Sequence, residues 1–209
     1  MTENTYALTC LSMRMTIERM KAPAIEDRII RAEELAHRAR VYFDLWEALT
    51  LDTAVAPYEV ALDRFDDAWR FTRAAYEAAF LIRISNLFKR HKSTENFPSL
   101  IADARKAKVI DQTIEKQCGI MLDGLGDLPS RFNIVRDNAM AHQNRILQQH
   151  EAFGQARLSL DILRNYSDVS IVIGATLVSA IGLEPRMSYT RPSVTLQELL
   201  ATLCKADSS

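Results

Sequence analysis

Glycine is scarce in this sequence, six residues in 209, and nowhere forms a phosphate-cradling loop or a Gly-x-Ser-x-Gly turn. No stretch alternates apolar and polar residues with the period of a strand, and no internal repeat is present. Without strands, a dinucleotide-binding or hydrolase sheet has nothing to be built from. Cysteine is equally thin. Cys10, Cys118 and Cys204 are dispersed, with no CxxC pair, which reads as reduced thiols and not as a disulfide framework. The four histidines, His37, His91, His142 and His150, are scattered too, so no zinc-ligand spacing is present and no metal or other cofactor is expected. Charge of one sign is also lacking. A net charge of −1 argues against a broadly basic nucleic-acid binder, while leaving room for a local basic site. The most apolar run, VSIVIGATLVSAIGL at 169–183, is shorter than the roughly 20 residues of a membrane span and reads as a buried helix. The opening MTENTYALTCLSMRM has neither a long apolar core nor a small-residue cleavage site, so no signal peptide is expected, and the expectation is a cytoplasmic protein.

What the chain does have is helical periodicity and, at 48% hydrophobic residues, enough apolar mass for a core. Over 24–51, Ile29, Ala32, Ala36, Ala39, Phe43 and Trp46 recur at three- and four-residue steps, after an acidic first turn at Glu26 and Asp27. Over 58–91, Tyr58, Leu62, Phe65, Trp69, Tyr76, Phe80 and Leu87 mark a stripe that no glycine or proline interrupts. This predicts one central amphipathic helix of about 50 Å, its stripe serving as core or as a dimer seam. KSTENFP (92–98) reads as a loop and Ser99 as the next helix start. Ile110, Ile114, Cys118 and Met121 share one face over 109–122, which Gly124 and Gly126 end. A helix is expected over 155–182, bent near 165–167, then an extended connector over 184–193 with Pro185 and Pro192. A last helix, 195–205, carries Leu196, Leu199, Leu200 and Leu203. The expectation is an all-α bundle with an N-terminal extension (1–23), a helical core (24–150) and C-terminal helices that complete the bundle (151–209). The segments 24–51, 58–91 and 129–148 are expected to pack side by side.

Charge is uneven along this frame. Residues 44–67 are acidic, with Arg64 their only cation, whereas 83–108 are basic. The ordinary reading is two solvated faces. The functional reading is that Lys89, Arg90, Lys92, Arg105, Lys106 and Lys108, with Arg145 further on, track a phosphate backbone.

The stretch with chemical meaning is PSRFNIVRDNAMAHQNRILQ, 129–148. Pro129 suits a first helical turn, and Asp127 or Ser130 can cap it. Phe132, Val135, Ala139 and Ile146 form an apolar stripe. Arg136 and His142 flank the stripe about 120° apart on a wheel of roughly 100° per residue, so both can lean over one surface. Asn138 stands one turn before His142 and can hydrogen-bond its ring, while Asp137 projects away from both. A lone histidine bordering an apolar stripe is more often a hydrogen-bonded helix-face residue than a catalyst.

The spacing Arg136-Asp137, then His142, within RDNAMAH resembles the signature of the HEPN superfamily, and its wording is similar to the abortive-infection (AbiU-like) branch. The text ISNLFKRHKSTENFPSLIADA resembles that branch as well, where a Leu-Phe pair ending a long helix precedes a polar loop and a Ser-Leu helix start. Lys89 stands where those proteins often carry Asp. The resemblance covers roughly 43–148 and implies a HEPN-like helical bundle. It further implies a metal-independent endoribonuclease acting through the RNA's own 2′-OH, a toxin in toxin–antitoxin or abortive-infection defence against phage. His142 would be its general acid or base and Arg136 its phosphate ligand, with Asn138 fixing the ring and Asp137 at most supporting. It also implies a homodimer, since a two-fold axis supplies two Arg–His pairs, with the two motif helices facing each other. Two other readings stand beside it. One is a non-catalytic HEPN protein that binds RNA or a nucleotide, or pairs with a nucleotidyltransferase antitoxin. The other is a helical dimeric interaction module.

Overall fold

The computed structural model describes residues 24–51, 55–89, 95–141, 153, 156–186 and 192–206. Every regular element among them is helical. In chain order these are α1 (Ile25–Ala48), a 3-10 turn (Ala56–Tyr58), α2 (Glu59–Arg64), α3 (Asp66–Phe88), α4 (Phe97–Lys106), α5 (Gln112–Asp123), α6 (Leu128–Ala141), α7 (Leu160–Ala180) and α8 (Pro192–Ala206).

α1 is the hub. It packs on α3 along one side and on α7 along the other. Ile29, Ala32, Ala36, Ala39, Phe43 and Trp46 are all buried, as their spacing predicts. Phe43 and Trp46 both meet Phe80 of α3, with ring centroids 5.2 and 6.2 Å apart. Ion pairs set the antiparallel register against α7: Arg164 donates to Glu47 at 2.5 Å and Arg40 to Asp168, so rising numbers on one helix match falling numbers on the other. α6 lies on α3 and α3 on α1, so the described parts of the three expected segments do pack side by side, while α7, a fourth segment, covers the second side of α1. The apolar content of α7 accounts for this, since it buries Leu163, Tyr166, Ile173, Leu177 and Val178.

The expected single helix over 58–91 is two. Phe65, at φ −117° and ψ 32°, separates α2 from α3. The charges account for the break: Arg64 closes α2 and Asp66-Asp67 open α3, each favouring the helix end at which it sits. The stripe divides as well. Phe80 and Leu87 enter the main core, whereas Tyr58, Leu62, Trp69 and Tyr76 pack with Ala48, Leu49, Leu196 and Leu200 in a second cluster under α8. The stripe is therefore covered within the chain, and Phe65, 42% exposed, lies outside it.

Other boundaries move by a few residues. Asn96 caps α4, its side chain accepting the Ser99 N–H at 2.9 Å, so that helix begins before Ser99. Asp111 caps α5 in the same way through Ile114 N–H. Ser159 caps α7, which runs unbroken through 165–167 where a bend was expected. α7 closes through Gly182 at φ +76°, with Leu183 N–H reaching the Val178 carbonyl at 3.2 Å, the left-handed stop that only glycine adopts without strain. Pro192 and Ser193 belong to α8 and not to the connector.

Candidate functional site

α6 is built onto the bundle by its first two turns. The Asp127 carbonyl accepts the N–H groups of Ser130 and Arg131 at 3.0 and 3.2 Å, and Pro129 sits in the turn where its missing donor costs nothing. Phe132 and Val135 are fully buried, as the stripe predicts. The Phe132 ring meets Phe80 of α3 edge-on at 6.0 Å and stacks on Tyr166 of α7 at 4.7 Å. On the helix's other side, Arg131 donates its Nε–H to the Ala156 carbonyl at 2.6 Å and its Nη2 to that of Arg157. The helix that carries the motif is thus held from two sides by aromatic packing and a two-pronged guanidinium clamp.

Arg136, Asp137 and Asn138 follow on α6 within one to two turns of Phe132, and the helix is described through Ala141. The side chains from Arg136 onward, and His142 and Arg145 altogether, lie outside the described residues, as do Arg90 and Lys92. The expectations of an Arg136–His142 cleft and of an Asn138–His142 hydrogen bond therefore fall outside what is described.

The basic stretch divides into unequal parts. Lys89 closes α3 and is exposed, its N–H bound to the Ser85 carbonyl at 2.9 Å. Lys106 and Lys108 are exposed at the end of α4, Lys108 in the left-handed region at φ +59°. Arg105 differs, because its Nε is bonded to Glu115 of α5 at 3.2 Å. That contact ties α4 to α5 and makes Arg105 a weaker candidate for a phosphate than its two lysine neighbours.

Two groups with unusual environments escaped the sequence pattern. Glu77 of α3 is buried, and its Oε1 has no hydrogen-bond partner. Burial pushes its carboxyl up to about 7, with Arg73 one turn earlier pulling the other way. It lies one turn before Phe80 and Leu81, on the buried side of α3. A charged residue name gave no hint of this, but its neighbours at positions 76, 80, 81 and 84 are all apolar. The second is Glu33 of α1, also buried, which accepts the backbone N–H of Arg186 at 2.8 Å. The Arg186 guanidinium reaches Glu34, and His37 Nε2 stands 3.8 Å from Glu33. Burial lowers the His37 pKa, with Glu33 opposing the effect and Arg186 adding to it. Here a buried acid fastens the chain after α7 back onto α1. Cys118 is buried with its thiol pushed up to about 11, which leaves it a poor nucleophile.

Comparison with family models, with curated proteins and with solved structures finds no match. The functional reading therefore stands on the chain's own residues. Among the described residues, no group of three or more His, Cys, Asp or Glu is placed to hold a metal ion. No helix among them is long and apolar enough to cross a membrane.

Proposed function

We propose that this chain is a metal-independent endoribonuclease of the HEPN kind, a toxin in toxin–antitoxin or abortive-infection defence. The observation that carries the reading is the sequence RDNAMAH, whose residues 136–141 lie on α6, a helix held by Phe132 and Arg131 in an all-helical bundle. A catalytic pair gains from a rigid base, because misplacement by about 1 Å can cost a hundredfold in rate. In this reading Arg136 forks onto the scissile phosphate and offsets the charge that grows there during attack by the 2′-OH. His142, whose imidazole side chain is of the type suited to proton transfer at cell pH, takes the 2′-OH proton or returns one to the leaving 5′ oxygen. Asn138 orients the ring. A second copy of the chain adds a second Arg–His pair, so that acid and base need not be one residue. Lys89, Lys106 and Lys108 are the exposed cations that guide RNA in.

The same exposed lysines support a second reading, a HEPN-type protein that binds RNA or a nucleotidyltransferase partner without cleavage. Turnover separates the two. RNA cleavage by the purified chain in EDTA, lost with His142→Ala, supports the nuclease. Binding without cleavage supports the second reading. Growth arrest on induced expression of the wild type, absent with His142→Ala, supports the toxin role.

A further inference from the structure

Most arginines described in this chain end on one of its own acids. Arg28 meets Glu95 and Asp103, Arg40 meets Asp44 and Asp168, Arg164 meets Glu47 and Asp161, and Arg186 meets Glu34. Arg38 of α1 and Arg83 of α3 differ. Among the described residues, neither is paired with a carboxylate. Both stand on the groove between α1 and α3. These helices run antiparallel, since Phe43 meets Phe80 while Arg28, near the start of α1, reaches Glu95 beyond the end of α3. From the Phe43–Phe80 contact, five residues back to Arg38 and three residues forward to Arg83 lead in the same direction, by about 7.5 and 4.5 Å at 1.5 Å per residue. Tyr42, one turn after Arg38, marks the meeting point: the Arg83 guanidinium lies over its ring, 5.4 Å from the centroid.

We infer that Arg38 and Arg83 form an anion site on the α1–α3 groove, and that its ligand is a phosphate group of a nucleotide, free or within a single strand. The inference does not rest on the ribonuclease reading. The first ground is charge. Arg83 is half-buried and Arg38 exposed, and the acids near them on α1 are already engaged, Glu34 by Arg186 and Asp44 by Arg40. Between Arg73 and Lys89 the only acid of α3 is Glu77, which is buried. A half-buried guanidinium without a counter-charge is completed by an anion from outside. The second ground is the kind of donors. Tyr42 and Tyr76 lie side by side on the groove, ring centroids 6.3 Å apart, both half-buried, and among the described residues neither phenol is hydrogen-bonded. A guanidinium laid over a ring keeps its in-plane N–H groups free to donate. A carboxylate has two oxygens and is satisfied by a single guanidinium fork. The tetrahedral oxygens of a phosphate can accept from two guanidiniums and a phenol together, which is the set this groove offers.

The test uses the full chain and two probes. One is a fluorescein-labelled 2′-O-methyl oligouridylate, followed by anisotropy; it has no free 2′-OH, so cleavage through that group cannot disturb the reading. The other is ATP, followed by calorimetry. The wild type is expected to bind at least one of them. Arg83→Gln is expected to weaken that binding about tenfold, the loss of one charge-assisted phosphate contact, with an unchanged circular dichroism spectrum. Arg38→Gln is expected to weaken it as well, and serves if Arg83→Gln disturbs the packing at Tyr42. Lys116→Gln removes the same charge from an exposed position on α5 and is expected to weaken binding by less than about twofold. Binding of the strand alone, lost with Arg83→Gln, assigns the phosphate to a strand. Binding of ATP, lost in the same way, assigns it to a free nucleotide. A wild type that binds neither probe overturns the inference. So does binding that survives both Arg83→Gln and Arg38→Gln, and so does an equal loss with Lys116→Gln.

Discussion

A β-carbon placed on Gly174 would stand 3.2 Å from the Cα of Glu33 and 3.4 Å from its Cβ and Cγ. α7 therefore meets α1 at near-backbone contact where the buried carboxylate of Glu33 receives the Arg186 N–H. Gly174→Ala gains about 1 kcal/mol of helix propensity and loses a comparable amount to crowding, so its net effect is expected to be under about 1 kcal/mol. Gly174→Val forces the helices apart and is expected to cost about 1–3 kcal/mol. Urea unfolding of both variants checks the order.

Glu77 makes stability depend on pH. Its folded pKa, about 7, lies above the ordinary value of 4.5, so between these limits the folded state holds a proton that the unfolded state has released. Stability therefore falls as pH rises from about 4.5 to about 7 and is level beyond. Glu77→Gln, which keeps the shape and removes the charge, is expected to flatten this slope and to stabilise the protein above pH 7 by up to about 3 kcal/mol. Thermal unfolding of both proteins at pH 5 and pH 8 is the measurement. An equal Tm difference at both values would refute it.

Phe132 ties the motif helix to both α3 and α7. Phe132→Ala is expected to cost about 3–5 kcal/mol, the range for a fully buried phenylalanine. Arg131→Ala removes the clamp on the 156–157 carbonyls, and about 1–3 kcal/mol is expected for two charge-assisted hydrogen bonds left without a donor. Denaturant midpoints decide, and the Arg131 loss is expected to be the smaller.

For the proposed nuclease, His142→Ala is expected to lower single-turnover RNA cleavage by about 10²–10⁴, the contribution of one acid–base group. Arg136→Lys retains the charge but not the fork, and a loss of about 10²-fold is expected. Cleavage in EDTA is expected to match cleavage in magnesium once RNA folding is controlled. Strict dependence on a divalent ion would refute the metal-independent mechanism.

The helices of this fold were legible where one apolar stripe faced one core. α1 shows this best, its six stripe residues all buried. The break at Phe65 was not legible, because neither glycine nor proline marks it and the signal is a reversal of charge from Arg64 to Asp66. Nor was the pairing of α1 with α7, since periodicity states which face is buried and not against what. For the site, the sequence led to α6 and to the burial of Phe132 and Val135. Glu77 had only its neighbours Phe80, Leu81 and Ile84 to point to it, because burial of a carboxylate is a property of the packed helices around it.

The fastening of α7 to α1 also has a temporal side. Glu33 meets Arg186 and Glu47 meets Arg164, pairs separated by 153 and 117 positions. Leu196 and Leu200 close over Ala48 and Leu49 from equally far along the chain. During synthesis, the hub helix leaves the ribosome with one apolar side bare and waits for most of the remaining polypeptide before its cover arrives. Long-range closure of this kind slows folding and lengthens the interval in which sticky surface is open to chaperones or to self-capture.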